Sequence, residues 1–260
     1  MTYILYFLIA IGATTVGSLT GMGGGVIIKP LMDLLGGFDV ETIGVLSSVT
    51  VFAMSVVSIG RQLMQRTKID FHTAIPLALG SVAGGLIGQW MLRLIVGSAP
   101  KNLVTVVQNT VLAILILGVY LYMRNKHNVK SLALHGLIPA VLVGVFLGIC
   151  SSFLGIGGGP INVALIIFLF GYDTKAATVC SIVTILFSQI SKLTSVALST
   201  GFGVFDLSIL PVMVVGAIAG GFIGASLNKK FPEEGVDKAF NGVQLLVLAL
   251  SVVNIVRNLL

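Results

Sequence analysis

Charge is what this chain most lacks. Of its 260 residues only 9% are Asp, Glu, Lys or Arg, against roughly 25% in an ordinary soluble domain. A soluble surface cannot be built from so little, and the mean hydropathy of +1.09 agrees. Cysteine is scarce too: Cys150 and Cys180 both lie in apolar segments, which excludes a disulfide framework. Neither is placed beside an evident base, so no nucleophile and base pair supports an enzyme. His72, His127 and His135 sit at segment ends without ligand spacing, so no metal site and no cofactor are expected. Buried carboxylates suited to a proton relay are few. The opening MTYILYFLIAIGATTVGS lacks the basic leader of a cleaved signal and reads as a retained first helix. The formal net charge of +6 does not point to nucleic acid, because Lys and Arg fall in short clusters between apolar runs, as membrane proteins use them to set orientation.

What is present is hydrophobic length. Several runs approach the ~20 apolar residues that span a bilayer core, and only helices or closed barrels satisfy their backbone in lipid. The expected fold is therefore an all-α polytopic membrane protein, with the bilayer as its main partner.

The chain also repeats itself. GSLTGMGGGVII (Gly17 to Ile28) returns as SSFLGIGGGPIN (Ser151 to Asn162), 134 residues later, and the same shift relates Asp39 to Asp173, Ser47 to Ser181 and Thr50 to Thr184. After a small indel the shift becomes 136, relating Asp70 to Asp206, GSVAGGLIG to GAIAGGFIG and Gln108 to Gln244. Two halves result, residues 1–130 and 131–260, each with about five helical segments. The expected segments are 2–20, 24–36, 41–64, 72–97 and 102–123, then 133–154, 159–170, 175–199, 206–228 and 238–259. The second of each five is too short to cross alone, so it is expected to be broken or re-entrant at the glycines. An odd number of crossings per half places Arg61, Arg66, Lys68, Arg124, Lys126, Lys130, Lys175, Lys229, Lys230 and Lys238 on one side, against Arg93, Lys101 and Arg257 on the other. By the positive-inside rule the halves are then inverted, with both termini outside.

Gly21, Gly23, Gly24 and Gly25, with Gly155, Gly157, Gly158 and Gly159, fit neither a dinucleotide fingerprint nor a phosphate loop. Close helix packing is one reading. The other is that the backbone turns inside the membrane and starts a half-helix, whose free amides and positive end favour an anion. In inverted-repeat carriers such breaks meet near the midplane. Hydroxyls at helical spacing, Ser47 and Thr50 in one half and Ser181, Thr184 and Ser188 in the other, are candidate walls of a polar path. The same groups could instead bond their own or a neighbouring helix. Ser58, Arg61 and Ser195 lie on the same stripes. Lys192, inside an apolar segment, is a candidate for substrate contact or gating. Lys29 and Asp33 are spaced to pair with each other, and Asp70 and Asp206 to cap helices.

The paired motifs Gly21-Met22-Gly23-Gly24-Gly25 with Pro30-Leu31, and Gly155-Ile156-Gly157-Gly158-Gly159, in two related halves of this length, resemble the sulfite exporter TauE/SafE type of permeases. That resemblance implies a multi-pass inner-membrane carrier for small sulfur-containing anions such as sulfite, thiosulfate or organosulfonates. The chain departs from exact repetition at Pro30, whose counterpart is Ala164, while Pro160 abuts the second glycine run, so the two half-sites are not expected to be chemically identical. A homodimer is compatible with the sequence. An anion channel, or a membrane scaffold or intramembrane enzyme using Cys180 or Lys192, are the alternatives.

Overall fold

The computed structural model describes residues 2–67, 70–98, 100–156 and 158–259, so Lys68 and Gly157 lie outside the described residues. Among those residues the chain forms ten α-helices and no strand. They are α1 (Thr2–Thr20), α2 (Gly25–Leu35), α3 (Val40–Met64), α4 (Phe71–Ser98), α5 (Lys101–Asn125), α6 (Leu137–Leu154), α7 (Pro160–Phe170), α8 (Thr174–Leu198), α9 (Leu210–Lys230) and α10 (Glu233–Leu259). Eight are long and apolar enough to cross a membrane. The exceptions, α2 and α7, have 11 residues each, and at ~1.5 Å per residue such a helix covers about half of a ~30 Å core. This is an all-α multi-pass membrane protein.

Local chemistry sets the boundaries. Asp39 and Asp173 accept the Thr42 and Ala176 amides, each at 2.8 Å, and so start α3 and α8. α10 begins earlier than the expected 238 because Pro232 precedes Glu233 and Glu234, a favourable first turn that hydropathy does not register. α6 begins later than 133 because the preceding chain is otherwise engaged. The Leu132 and Leu134 amides donate to the Phe168 and Leu169 carbonyls at 2.9 and 2.7 Å, satisfying the end of α7. α9 starts at Leu210 rather than 206. Asp206 accepts the Ser208 amide at 3.0 Å in the turn ahead of the helix, whereas Asp70 directly precedes α4 and accepts the His72 amide at 3.0 Å.

Contacts along the helices give their directions. Gly216, Gly220 and Gly224 of α9 press on Ala10, Thr14 and Thr15 of α1, while Gly80, Gly84 and Gly88 of α4 press on Val141, Val145 and Ile149 of α6. Numbers rise together in both pairs, so each pair is parallel, and the missing side chains let the backbones approach closely. α3 runs with α9, through Met54 beside Gly221 and Arg61 beside Ser226. α4 runs with α8, through Ser81 at Thr184 and Arg93 at Ser195. By contrast α5 opposes α10, since Asn109 meets Asn254 and Lys126 meets Asp237. The start of α3 meets the end of α8, where Lys192 donates to the Gly44 carbonyl.

A topological consequence follows from these directions. α1 and α3 point the same way, so α2 between them must lead the chain back, with its N-terminus toward the interior. α7 stands in the same relation to α6 and α8.

Candidate functional site between the glycine breaks

The backbone leaves α1 and α6 through glycines in conformations that side chains rarely adopt. φ is +77° at Gly21 and +70° at Gly23 in the first break, and +68° at Gly155, +101° at Gly158 and +142° at Gly159 in the second. The two breaks touch. A Cβ on Gly25 would collide with the Ile156 carbonyl oxygen and come within 2.9 Å of Ser47 Oγ. On the other side Gly159 faces the Met22 carbonyl, with Val26 beside it. The structure therefore brings Gly25, Gly159 and Ser47 together at the inner ends of α2 and α7. Gly21 packs instead on Thr178, Gly24 on Thr14 and Gly158 on Ile185, where the missing Cβ makes room for a neighbouring helix.

The Gly24 carbonyl accepts the Ile27 and Ile28 amides at 3.1 and 3.0 Å, and the Gly159 carbonyl accepts the Asn162 amide at 3.0 Å. Only the amides ahead of these are left without intrahelical acceptors at the two short helices. They are not equal in this. Val26 of α2 carries an N–H, whereas its counterpart Pro160, the first residue of α7, has none.

Most of the expected hydroxyl stripe is engaged within the protein. Thr50 and Thr184 donate to the carbonyls one turn back, Leu46 and Cys180, at 2.7 and 3.0 Å. Ser181 donates to the Gly21 carbonyl at 2.7 Å, and Ser188 pairs with Ser151 at 2.9 Å. Ser58 pairs with Ser18 at 2.8 Å. Arg61 donates to Ser226 at 3.1 Å and lies over the Phe222 ring. Ser47 is the member whose buried Oγ has no partner, and it is also the one beside the contact of the two breaks. Three further buried amides with no partner on either atom, Gln62, Gln189 and Gln244, were not signalled as site residues by their sequence surroundings.

A polar vestibule lies at each end of the bundle. At the end where α8 and α10 begin, Gln62, Arg66, Lys175, Lys229, Asp173 and Glu233 border a cavity of about 570 Å³. At the opposite end Lys29, Glu41, Gln89, Arg93, Gln108 and Lys192 border one of about 20 Å³, which Gly155 also lines. Lys29 forms the expected pair with Asp33, at 2.9 Å, both side chains being buried. Lys192 is 2% exposed and reaches Gly44 O at 3.0 Å. Sequence reasoning missed Gln89, Arg93 and Gln108. A signal existed for two of them, since Gln108 repeats as Gln244 and Arg93 falls opposite Lys229 at the shift of 136.

Outside the spans, Tyr172 in the loop after α7 donates to Asp70 and pairs with the Thr73 hydroxyl, the latter at 2.7 Å. The Tyr172 hydroxyl holds the Asp70 carboxyl below its ordinary range. Burial, reinforced by Asp70, pushes the Tyr172 phenol up to about 12. Cys150 and Cys180 are both free thiols.

The sulfite exporter TauE/SafE family profile matches residues 6–252, and the chain belongs to that family. It is 23% identical over 272 residues to the probable membrane transporter protein YunE of Bacillus subtilis (strain 168), covering 95% of this chain and 96% of the relative. No solved structure matches.

Proposed function

We propose that this family member is a secondary carrier of small sulfur-containing anions, sulfite, thiosulfate or an organosulfonate, which bind between the two glycine breaks while inverted halves alternate access. The observation that carries this is the meeting of the breaks at Gly25 and Gly159, with the unpartnered Ser47 hydroxyl beside them. Amide N–H groups at a helix N-terminus suit an oxyanion, and Ser47 supplies a further donor. Halves 1–130 and 131–260 are supported as inverted by the opposed directions of α3 and α8 and of α5 and α10, which occupy equivalent places in the repeat. The wide vestibule lies at the end rich in Lys and Arg, so the positive-inside rule makes it cytoplasmic, with both termini outside and the inner membrane as the location. A channel is less well supported, because the vestibule at the other end is nearly closed.

The test is uptake of labelled sulfite, thiosulfate and isethionate by proteoliposomes holding the full chain. A carrier gives saturable flux and counterflow. Ser47→Ala should raise KM about tenfold, the worth of one hydrogen bond to a charged group, with little change in unfolding temperature. No saturable flux of any of these anions overturns the reading, and flux without counterflow replaces it with the channel.

A further inference from the structure

Three cations converge on the small vestibule at the outer end: Lys29 on α2, Arg93 on α4 and Lys192 on α8. Two have partners that account for them, since Lys29 is paired with Asp33 and Arg93 donates to Ser195 Oγ at 2.9 Å. Lys192 has only the Gly44 carbonyl for an ammonium that carries three donors, in an apolar helix and 2% exposed. A buried ammonium without a counter-ion is costly unless an anion meets it. Counting Glu41 and Asp33 against the three cations leaves one positive charge. The same pocket presents two acceptors without donors, Gln89 Oε1 and Gln108 Oε1, in side chains that are 6% and 2% exposed. Gln108 is held in place because its Nε2 donates to the Phe153 carbonyl at 2.7 Å.

Resting on the carrier reading, we propose that this pocket is a second anion site on the outer side of the Gly155 break. It takes a singly charged oxyanion that also carries a donor hydrogen, and the Lys192 to Gly44 bond is the latch that such an anion displaces. The acidic group meets Lys192 and Arg93, and a hydroxyl on the same molecule meets the glutamine oxygens. A cavity of about 20 Å³ holds about one water, so the latched pocket is empty of anion and must widen to admit one. The latch lies beside open space, since a Cβ on Gly44 would meet nothing within 4 Å except Lys192 Nζ, at 3.4 Å. Gly155 connects the pocket to the centre, since its missing side chain faces Lys29 and Gly44.

The test titrates the detergent-purified full chain with isethionate, ethanesulfonate and sulfite while following its unfolding temperature, which rises when a ligand binds the folded state. Isethionate should stabilise the wild type. Lys192→Gln and Arg93→Gln should each raise the half-saturating concentration about tenfold or more, as loss of a charge-assisted bond does. Lys192→Arg should stay near wild type, and so should Lys229→Gln, the repeat counterpart of Arg93 at the other end. Ethanesulfonate, which lacks the hydroxyl, should bind more weakly than isethionate. If Lys192→Gln unfolds too early to titrate, Arg93→Gln, at a partly buried position in the last turns of α4, carries the test. No stabilisation of the wild type by isethionate or sulfite, or variants that titrate like it, overturns the proposal. Equal binding of the two sulfonates overturns the role given to the glutamines. Binding without flux in proteoliposomes would instead overturn the carrier reading and leave this pocket standing.

Discussion

The two vestibules occupy equivalent places in the repeat, yet one encloses about 570 Å³ and the other about 20 Å³. At the wide end the carboxylates are bound to the start of α8, Asp173 to the Ala176 amide at 2.8 Å and Glu233 to the Thr174 amide at 3.0 Å. Among the described residues, no counterpart of the Lys192 to Gly44 bond joins α3 to α8 there. The repeat counterpart of Lys192 is Ser58, whose short hydroxyl turns to Ser18 instead. Other lining counterparts differ too, Gln89 with Ala225 and Leu92 with Asn228, so the exchange of Lys192 for Ser58 is one of several that accompany the difference between an open end and a closed one. The lesson is that repetition supplies two similar frames, while individual side chains make them do different things.

The largest effect that could break this comparison lies at the breaks themselves. Gly25→Ala places a methyl against the Ile156 backbone and must force the halves apart, whereas Gly159→Ala finds its nearest neighbours at 3.6 Å and suffers only backbone strain at φ +142°. Such strain is worth about 1 to 3 kcal/mol. Initial uptake rates, normalised to folded protein, should fall by about a hundredfold or more for Gly25→Ala and by less for Gly159→Ala. A reversed order would mean that the first break is not the tighter one.

A smaller effect would sharpen the difference in amides. Val26→Pro removes an N–H that Pro160 already lacks, at a first-turn position where proline is tolerated. An amide that contacts the anion is worth about 1.5 to 3 kcal/mol, so KM should rise at least about tenfold. Pro160→Ala should leave KM nearly unchanged. Equal effects would mean that both helix ends serve the anion alike.

The smallest effect concerns the loops. Asp70 is tied to Tyr172 across the halves, whereas Asp206 accepts from its neighbour Ser208, and the repeat counterpart of Tyr172 is Phe38, which has no hydroxyl to donate. Because the folded carboxyl of Asp70 lies below its unfolded value, its contribution is present above about pH 4 and is lost as pH falls through the lowered value. The Tyr172 phenol is raised to about 12, so its contribution is complete below about pH 10 and is lost as pH rises toward 12. Asp70 is largely exposed, so solvent screening keeps the effect small. Unfolding temperature against pH should show both losses in the wild type, whereas Tyr172→Phe should lack the alkaline loss and show a smaller acid loss, kept in part by the His72 amide and the Thr73 hydroxyl. A Tyr172→Phe profile identical to the wild type would remove the contact from the comparison.

Much of the architecture was legible before any coordinates. Hydropathy located all ten helices, because burial in lipid demands apolar length and the demand is local. Errors fell where polar residues start a helix, at Glu233, or where apolar ones do not, at Leu132 to Leu134. The site was legible only in outline. Glycine spacing pointed to all eight glycines of the two runs alike, and nothing in the pattern singled out Gly25 and Gly159 or distinguished Ser47, which lacks a partner, from Ser181, which bonds the Gly21 carbonyl.

By itself the sequence determined that this is a membrane protein of two related halves, each broken once by glycine, and it indicated the family. These are properties of composition and spacing along the chain. Tertiary structure alone decided which hydroxyls are spent, which end is closed, and that Lys192 meets Gly44, a residue 148 positions away. Hydrogen bonding and charge pairing act over about 3 Å, so they depend on which helices become neighbours, and neighbourhood is set by packing rather than by order in the chain.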